Sequence, residues 1–200
     1  MKATFHVPIT APKGQAQGAF DTANSFFEGA LRCATPVENP SERGKITCPA
    51  SPTIACIAFA AELYLKSLVI AATGKSKDVH RLDKLYNSLS ANLQKQIRKA
   101  CCQETALKTL EFRDKLNSIS NSFVEWRYSY EGTGNIEPYI LFGLSRALYK
   151  ICRAEFPEWE VDEYLDSRIT GPVDSHVLAI VNAGGGRMVR VVEAPNKQER

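Results

Sequence analysis

The stretch from Ile54 to Ala72, IACIAFAAELYLKSLVIAA, constrains the fold more than any other part of this 200-residue chain. Sixteen of its nineteen residues are apolar or aromatic, yet Glu62 and Lys66 stand near its middle. An ionised side chain at the centre of a bilayer costs roughly 2.5–3.5 kcal/mol, and alanine does little to offset that. The stretch therefore reads as the buried helix of a soluble bundle, not as a membrane span. Composition agrees, with 44% hydrophobic and 24% charged residues, close to the globular average. The length suits one sizeable core. A net charge of +3 is too small for bulk capture of a polyanion, so any phosphate site has to be local.

Along the chain, residues 1–17 read as an N-terminal extended segment and 18–170 as a helical bundle. Helices are expected over 18–34, with Phe20, Phe27 and Leu31 near one face, and from Pro52 to Thr73, stopped by Gly74. Between them, Pro36, Pro40, Pro49, Pro52 and Gly44 make 35–52 a loop without regular structure. Asp78 is the candidate N-cap of a third helix starting near Val79. Further helices are expected over 91–102, 104–131 and 137–154, and a short acidic one from Pro157. In 104–131, Leu116, Ile119, Phe123, Trp126 and Tyr130 recur at threes and fours, the spacing of a core seam. Residues 171–200 read as a small C-terminal β-hairpin, 177–181 with 188–192, and a polar tail. The fold class is thus mainly α, an antiparallel bundle of four to six helices with a β-hairpin at its end.

Six cysteines at 33, 48, 56, 101, 102 and 152 include no C-x-x-C and no zinc-spaced Cys/His set. They read as reduced, partly buried thiols, and with no apolar leader the chain is expected in the cytoplasm. No P-loop, G-x-S-x-G, H-E-x-x-H or dinucleotide fingerprint is present, so neither cofactor nor metal is expected. Charge is segregated, +5 over 75–99 against −6 over 155–174. Such runs are ordinarily solvated faces. Otherwise one would meet phosphates and the other a partner.

The polar residues on apolar faces carry the functional reading. On a helical wheel Ala55, Ala58, Glu62, Lys66, Val69 and Thr73 share one stripe. Glu62 and Lys66 are either an (i, i+4) pair on a solvated stripe or part of a polar site. Arg127 flanks the seam of the 104–131 helix, where it has to snorkel or find an acid, because an unpaired buried charge costs several kcal/mol. Glu62 is the economical partner, and Glu131 is another. Arg113 and Ser120 extend that polar flank. His80 either packs and caps at a helix start or contacts a ligand. Trp126, Tyr128 and Tyr130 are core aromatics or a stacking platform.

AFAAELYLKSLVIAATG, then VHRLDKLYNSL and FVEWRYSYEG, resemble in order the motifs of the HEPN (higher eukaryotes and prokaryotes nucleotide-binding) superfamily across residues 54–131. The resemblance implies a bundle of four or five helices that dimerises across a twofold axis. It also implies a nucleotide or RNA ligand, a cytoplasmic toxin–antitoxin or phage-defence setting and a cognate protein partner. Activity in that family rests on R-x(4–6)-H. Arg127 matches the arginine, but positions 132–134 are Gly, Thr and Gly. The expectation is a dimeric phosphate-binding protein, non-catalytic or weakly catalytic, with Glu62, Lys66, His80, Arg127, Tyr130 and Glu131 around the ligand. Two other readings stand beside it. One is a metal-independent ribonuclease using Arg127 with His80 or His176; the other is a structural protein whose hairpin docks a partner by edge pairing.

Overall fold

The computed structural model describes residues 14–35, 37–38, 46–127, 137–171 and 189–190. It is a helical bundle built around one central rod. Helix α1 spans Gln15–Ala34, α2 Ala50–Thr73, α3 Leu82–Asn87, α4 Ala91–Thr105, α5 Phe112–Ser118, α6 Ser122–Arg127, α7 Pro138–Glu155 and α8 Glu163–Thr170. Helix α2 packs against α1, α3, α6 and α7. Among the described residues it is the one helix long and apolar enough to cross a bilayer, and 67% of its most apolar window is buried inside the protein. Its apolar surface is used on neighbouring helices.

Local chemistry sets most helix ends. Gly74 stops α2 in the left-handed conformation (φ 70°), its N–H donating to Ile70 O at 2.7 Å. Ser90 caps α4 by accepting from Leu93 N, and Pro138 opens α7, where a missing N–H costs nothing. Helix α8 starts at Glu163, later than Pro157, because Asp162 accepts from the N–H groups of Tyr164 and Leu165. The preceding turn buries Trp159.

Contacts fix the directions. Phe20 and Phe27 of α1 meet Tyr64, while Phe26 meets Phe59, so α1 and α2 are antiparallel. Ser145 Oγ donates to Ile57 O and Ser67 Oγ lies 3.6 Å from Cys152 Sγ, so α7 runs with α2. Phe20, Tyr64, Tyr149 and Trp159 form the centre of the core, with Phe20 5.8 Å from Tyr64 and 5.2 Å from Trp159, ring centroid to ring centroid. The buried Tyr64 hydroxyl donates to Asn24 Oδ1 at 2.7 Å, satisfying the only polar end of that ring.

Several further expectations change. The 104–131 segment is not one helix. Ala106 takes a left-handed conformation (φ 56°), and a turn at 119–121 separates α5 from α6. That turn completes the start of α3: Ser120 O accepts from Leu82 N and Ser120 Oγ from Asp83 N, both at 3.1 Å. Helix α3 therefore begins at Leu82, not near Val79, and Asp78 is not its cap. The seam residues Leu116, Ile119 and Trp126 are buried all the same.

Residues 35–52 are not wholly irregular. Strand β1 (Val37–Glu38) pairs antiparallel with β2 (Ile46–Cys48), matching Val37 with Thr47 and Glu38 with Ile46. Pro49 follows β2 and falls outside the paired positions, where it removes no ladder hydrogen bond. Strand β3 (Val189–Arg190) also pairs with β2, Thr47 with Arg190 and Cys48 with Val189. The end of the chain thus pairs with the segment before α2, and the 177–181 arm of the expected hairpin lies outside the described residues.

Two stability measurements follow. A Cβ on Gly143 would lie 2.2 Å from Thr105 Cγ2, and that threonine is held by its Oγ1 bond to Cys101 O. Gly143→Ala should therefore lose about 1–3 kcal/mol in urea unfolding, despite alanine's better helix propensity; a stabilised variant would contradict the packing. The Arg81 guanidinium bonds both carboxylate oxygens of Asp83, at 2.9 and 3.1 Å, and holds its carboxyl below the usual range. The ionised form is favoured in the fold, so its contribution is present above the ordinary carboxylate value and lost on acidification. Asp83→Asn should cost about 1 kcal/mol at neutral pH, and the difference from wild type should vanish in strongly acidic buffer.

Candidate functional site

Burying a carboxylate in an apolar helix requires donors close by. The Glu62 side chain has no exposed surface. Its Oε1 is 2.9 Å from Lys66 Nζ, one turn along α2, and 2.9 Å from His80 Nδ1, in the connection between α2 and α3. The lysine side chain is 14% exposed and the histidine 53% exposed, so the three groups run from core to surface. Glu62 Oε2 is buried and has no hydrogen-bond partner among the described residues.

The position of His80 is set by the fold around it. Gly74 turns the chain off α2, and Leu82, tied to Ser120 O with its side chain buried, fixes the start of α3 two residues beyond the imidazole. His80 does not cap α3; its ring bonds the acid on α2. Lys66 and Glu62 do form the (i, i+4) pair that their spacing allows, though inside the protein and not on a solvated stripe. The Glu62–His80 contact has no periodic signature across eighteen residues. Its only sequence hint is a short turn returning a histidine towards a helix that carries an unmatched acid.

Phe123 of α6 stacks on Phe59 of α2 with centroids 4.4 Å apart, which seats α6 against the central rod. Arg127 is the last residue of α6, one turn beyond Phe123; its side chain, together with Tyr130 and Glu131, lies outside the described part of the structure. So does His176. Arg113 donates to Asn87 Oδ1 at 2.6 Å, away from Glu62, and Ser120 serves α3. Trp126 is a core residue.

Cys101 and Cys152 offer no second site. Burial pushes the Cys101 and Cys152 thiols up to about 12, leaving no thiolate at neutral pH. Among the described residues no group of three or more His, Cys, Asp or Glu side chains is placed to hold a metal ion.

Chemically, a carboxylate that accepts Nδ1–H fixes the imidazole tautomer and leaves the Nε2 lone pair available. Lys66 spends one of its three N–H donors on Glu62. Such an arrangement can hold an anion and exchange a proton with it. No family model matches this chain, and no curated protein or solved structure is significantly similar to it.

The energetics of the cluster can be measured. Lys66→Met leaves the buried carboxylate with His80 as its one remaining described partner and should lower stability by about 3–5 kcal/mol, whereas Glu62→Leu/Lys66→Met should fall close to wild type. A double mutant as unstable as the single variant would show that the pair is not the unit that is buried.

Proposed function

We propose that this chain is a HEPN-like helical protein that binds a phosphate-bearing ligand, a nucleotide or a segment of RNA, on the face formed by α2, the start of α3 and α6. The observation that carries this reading is the fully buried Glu62 holding Lys66 and His80 on one oxygen. A bundle needing only stability gains little from a buried acid with two basic partners, since apolar replacements serve as well or better. A site for anions, by contrast, needs cations whose geometry is fixed before the ligand arrives. Helix α6, which packs on α2, ends at Arg127, and an arginine suits bidentate phosphate contact. Lysines and arginines over 75–99 add a local positive field on a chain of small net charge.

In this reading the protein works as a cytoplasmic homodimer, its ligand face completed by a second copy. It belongs to a prokaryotic defence or toxin–antitoxin system and has a cognate protein partner. The order of the three motifs between residues 54 and 131 supports that assignment.

Titration of fluorescent single-stranded RNA and of ATP, at low and moderate salt, tests the proposal. Wild type should bind at least one of them with an affinity that falls as salt rises. Arg127→Ala should weaken binding about tenfold or more. Equal affinity in wild type and Arg127→Ala, or no binding of either probe, would overturn it.

A further inference from the structure

We infer that this site is proton-gated: it takes up its phosphate when the His80 ring is charged and releases it when the ring is neutral. The gating rests on the phosphate-binding reading above and adds what regulates that binding. The charges that meet on one carboxylate oxygen carry it. Glu62 Oε1 is 2.9 Å from Lys66 Nζ and 2.9 Å from His80 Nδ1. With a neutral ring donating Nδ1–H, one negative and one positive charge cancel. A proton on Nε2 leaves the group one negative charge short. That nitrogen has no hydrogen-bond partner among the described residues and the ring is half exposed, so solvent supplies the proton and removes it.

Within the fold nothing makes up that deficit. Among the described residues Glu62 is the one acid within ion-pair distance of Lys66 or His80. Its Oε2 is buried without a hydrogen-bond partner among them, so no further donor draws on the carboxylate. The acid has no exposure and the lysine 14%, which keeps water from screening the excess charge as it would on an open surface. A bound anion supplies the missing negative charge, and a phosphodiester carries one per nucleotide. Imidazole is the side chain whose ordinary titration falls near neutral pH, so the charge comes and goes in that range.

The other charged groups around the ring do not duplicate this behaviour. Arg81, next in the chain, is engaged with both carboxylate oxygens of Asp83 on α3, at 2.9 and 3.1 Å. Lys75, Lys77 and Asp78 of the connection, Lys84 of α3 and Glu125 of α6 are exposed, where water and salt screen them. Arg127, which ends α6, stays charged at every pH of interest and adds affinity without pH dependence. His80 is the one histidine on α2, α3, α6 and the connection.

The experiment titrates a fluorescent oligouridylate into the full chain at about pH 5.5 and about pH 8, at fixed ionic strength. The phosphodiesters and bases of that probe keep one charge state across the range. Wild type should bind about tenfold more tightly at the lower pH, the effect of moving one imidazole titration by one unit. His80→Gln, neutral throughout, should bind equally at both. Because His80 is half exposed, that variant should keep the wild-type circular dichroism spectrum. In wild type, NMR of the His80 imidazole should show the ring keeping its proton to higher pH with the oligonucleotide bound than without it, since the coupling is reciprocal. Wild-type affinity that is the same at both pH values, an imidazole titration that the oligonucleotide does not move, or a His80→Gln variant that keeps the pH dependence overturns the gating and leaves the binding proposal standing. Wild type that binds no oligouridylate at either pH overturns it together with the RNA form of that proposal.

Discussion

A carboxylate with no solvent contact, set in the middle of the most apolar helix of the chain, is the constraint that the rest of this structure accommodates. Moving an ion of that kind out of water costs several kcal/mol before any partner is counted. Lys66 alone offsets part of that from its own helix, because four residues bring the two side chains together on one face. The second donor has to come from elsewhere in the chain. His80 reaches it only because α2 stops at Gly74 and the connection doubles back. Helix length, turn position and the charge of one side chain are therefore tied together.

The same logic governs the interrupted segment after α4. Helix α3 is only six residues long and its first N–H groups have no side-chain cap of their own. A continuous helix through 119–121 would have used Ser120 within its own ladder. Instead the chain turns there and offers both the carbonyl and the hydroxyl of Ser120 to α3. The exchange fixes the residues that position His80 and lets Phe123 stack on Phe59. A local helix preference gives way to capping at another element, so the break follows from tertiary structure.

Much of this was legible from residue order. Gly74 as a stop and the apolar character of α1 and α2 are local signals, and the structure places α1, α2, α4 and α7 within a few residues of where the pattern puts them. The burial of the Glu62 stripe was not legible, since an (i, i+4) pair on a solvated stripe and a buried polar site have the same spacing. Strands β1, β2 and β3 were hidden. The β2–β3 pairing joins residues about 140 apart, and the prolines around β1 and β2 mask short runs of extended chain.

The amino-acid order determined that an acid and a base would meet on one helix, because spacing along a helix fixes which side chains meet. Only the tertiary structure decided that the acid's second partner is His80, since the distance between residues 62 and 80 depends on where α2 ends and how α3 is held. Periodicity describes one helix at a time. The contact between two segments is set by the capping and packing of everything between them.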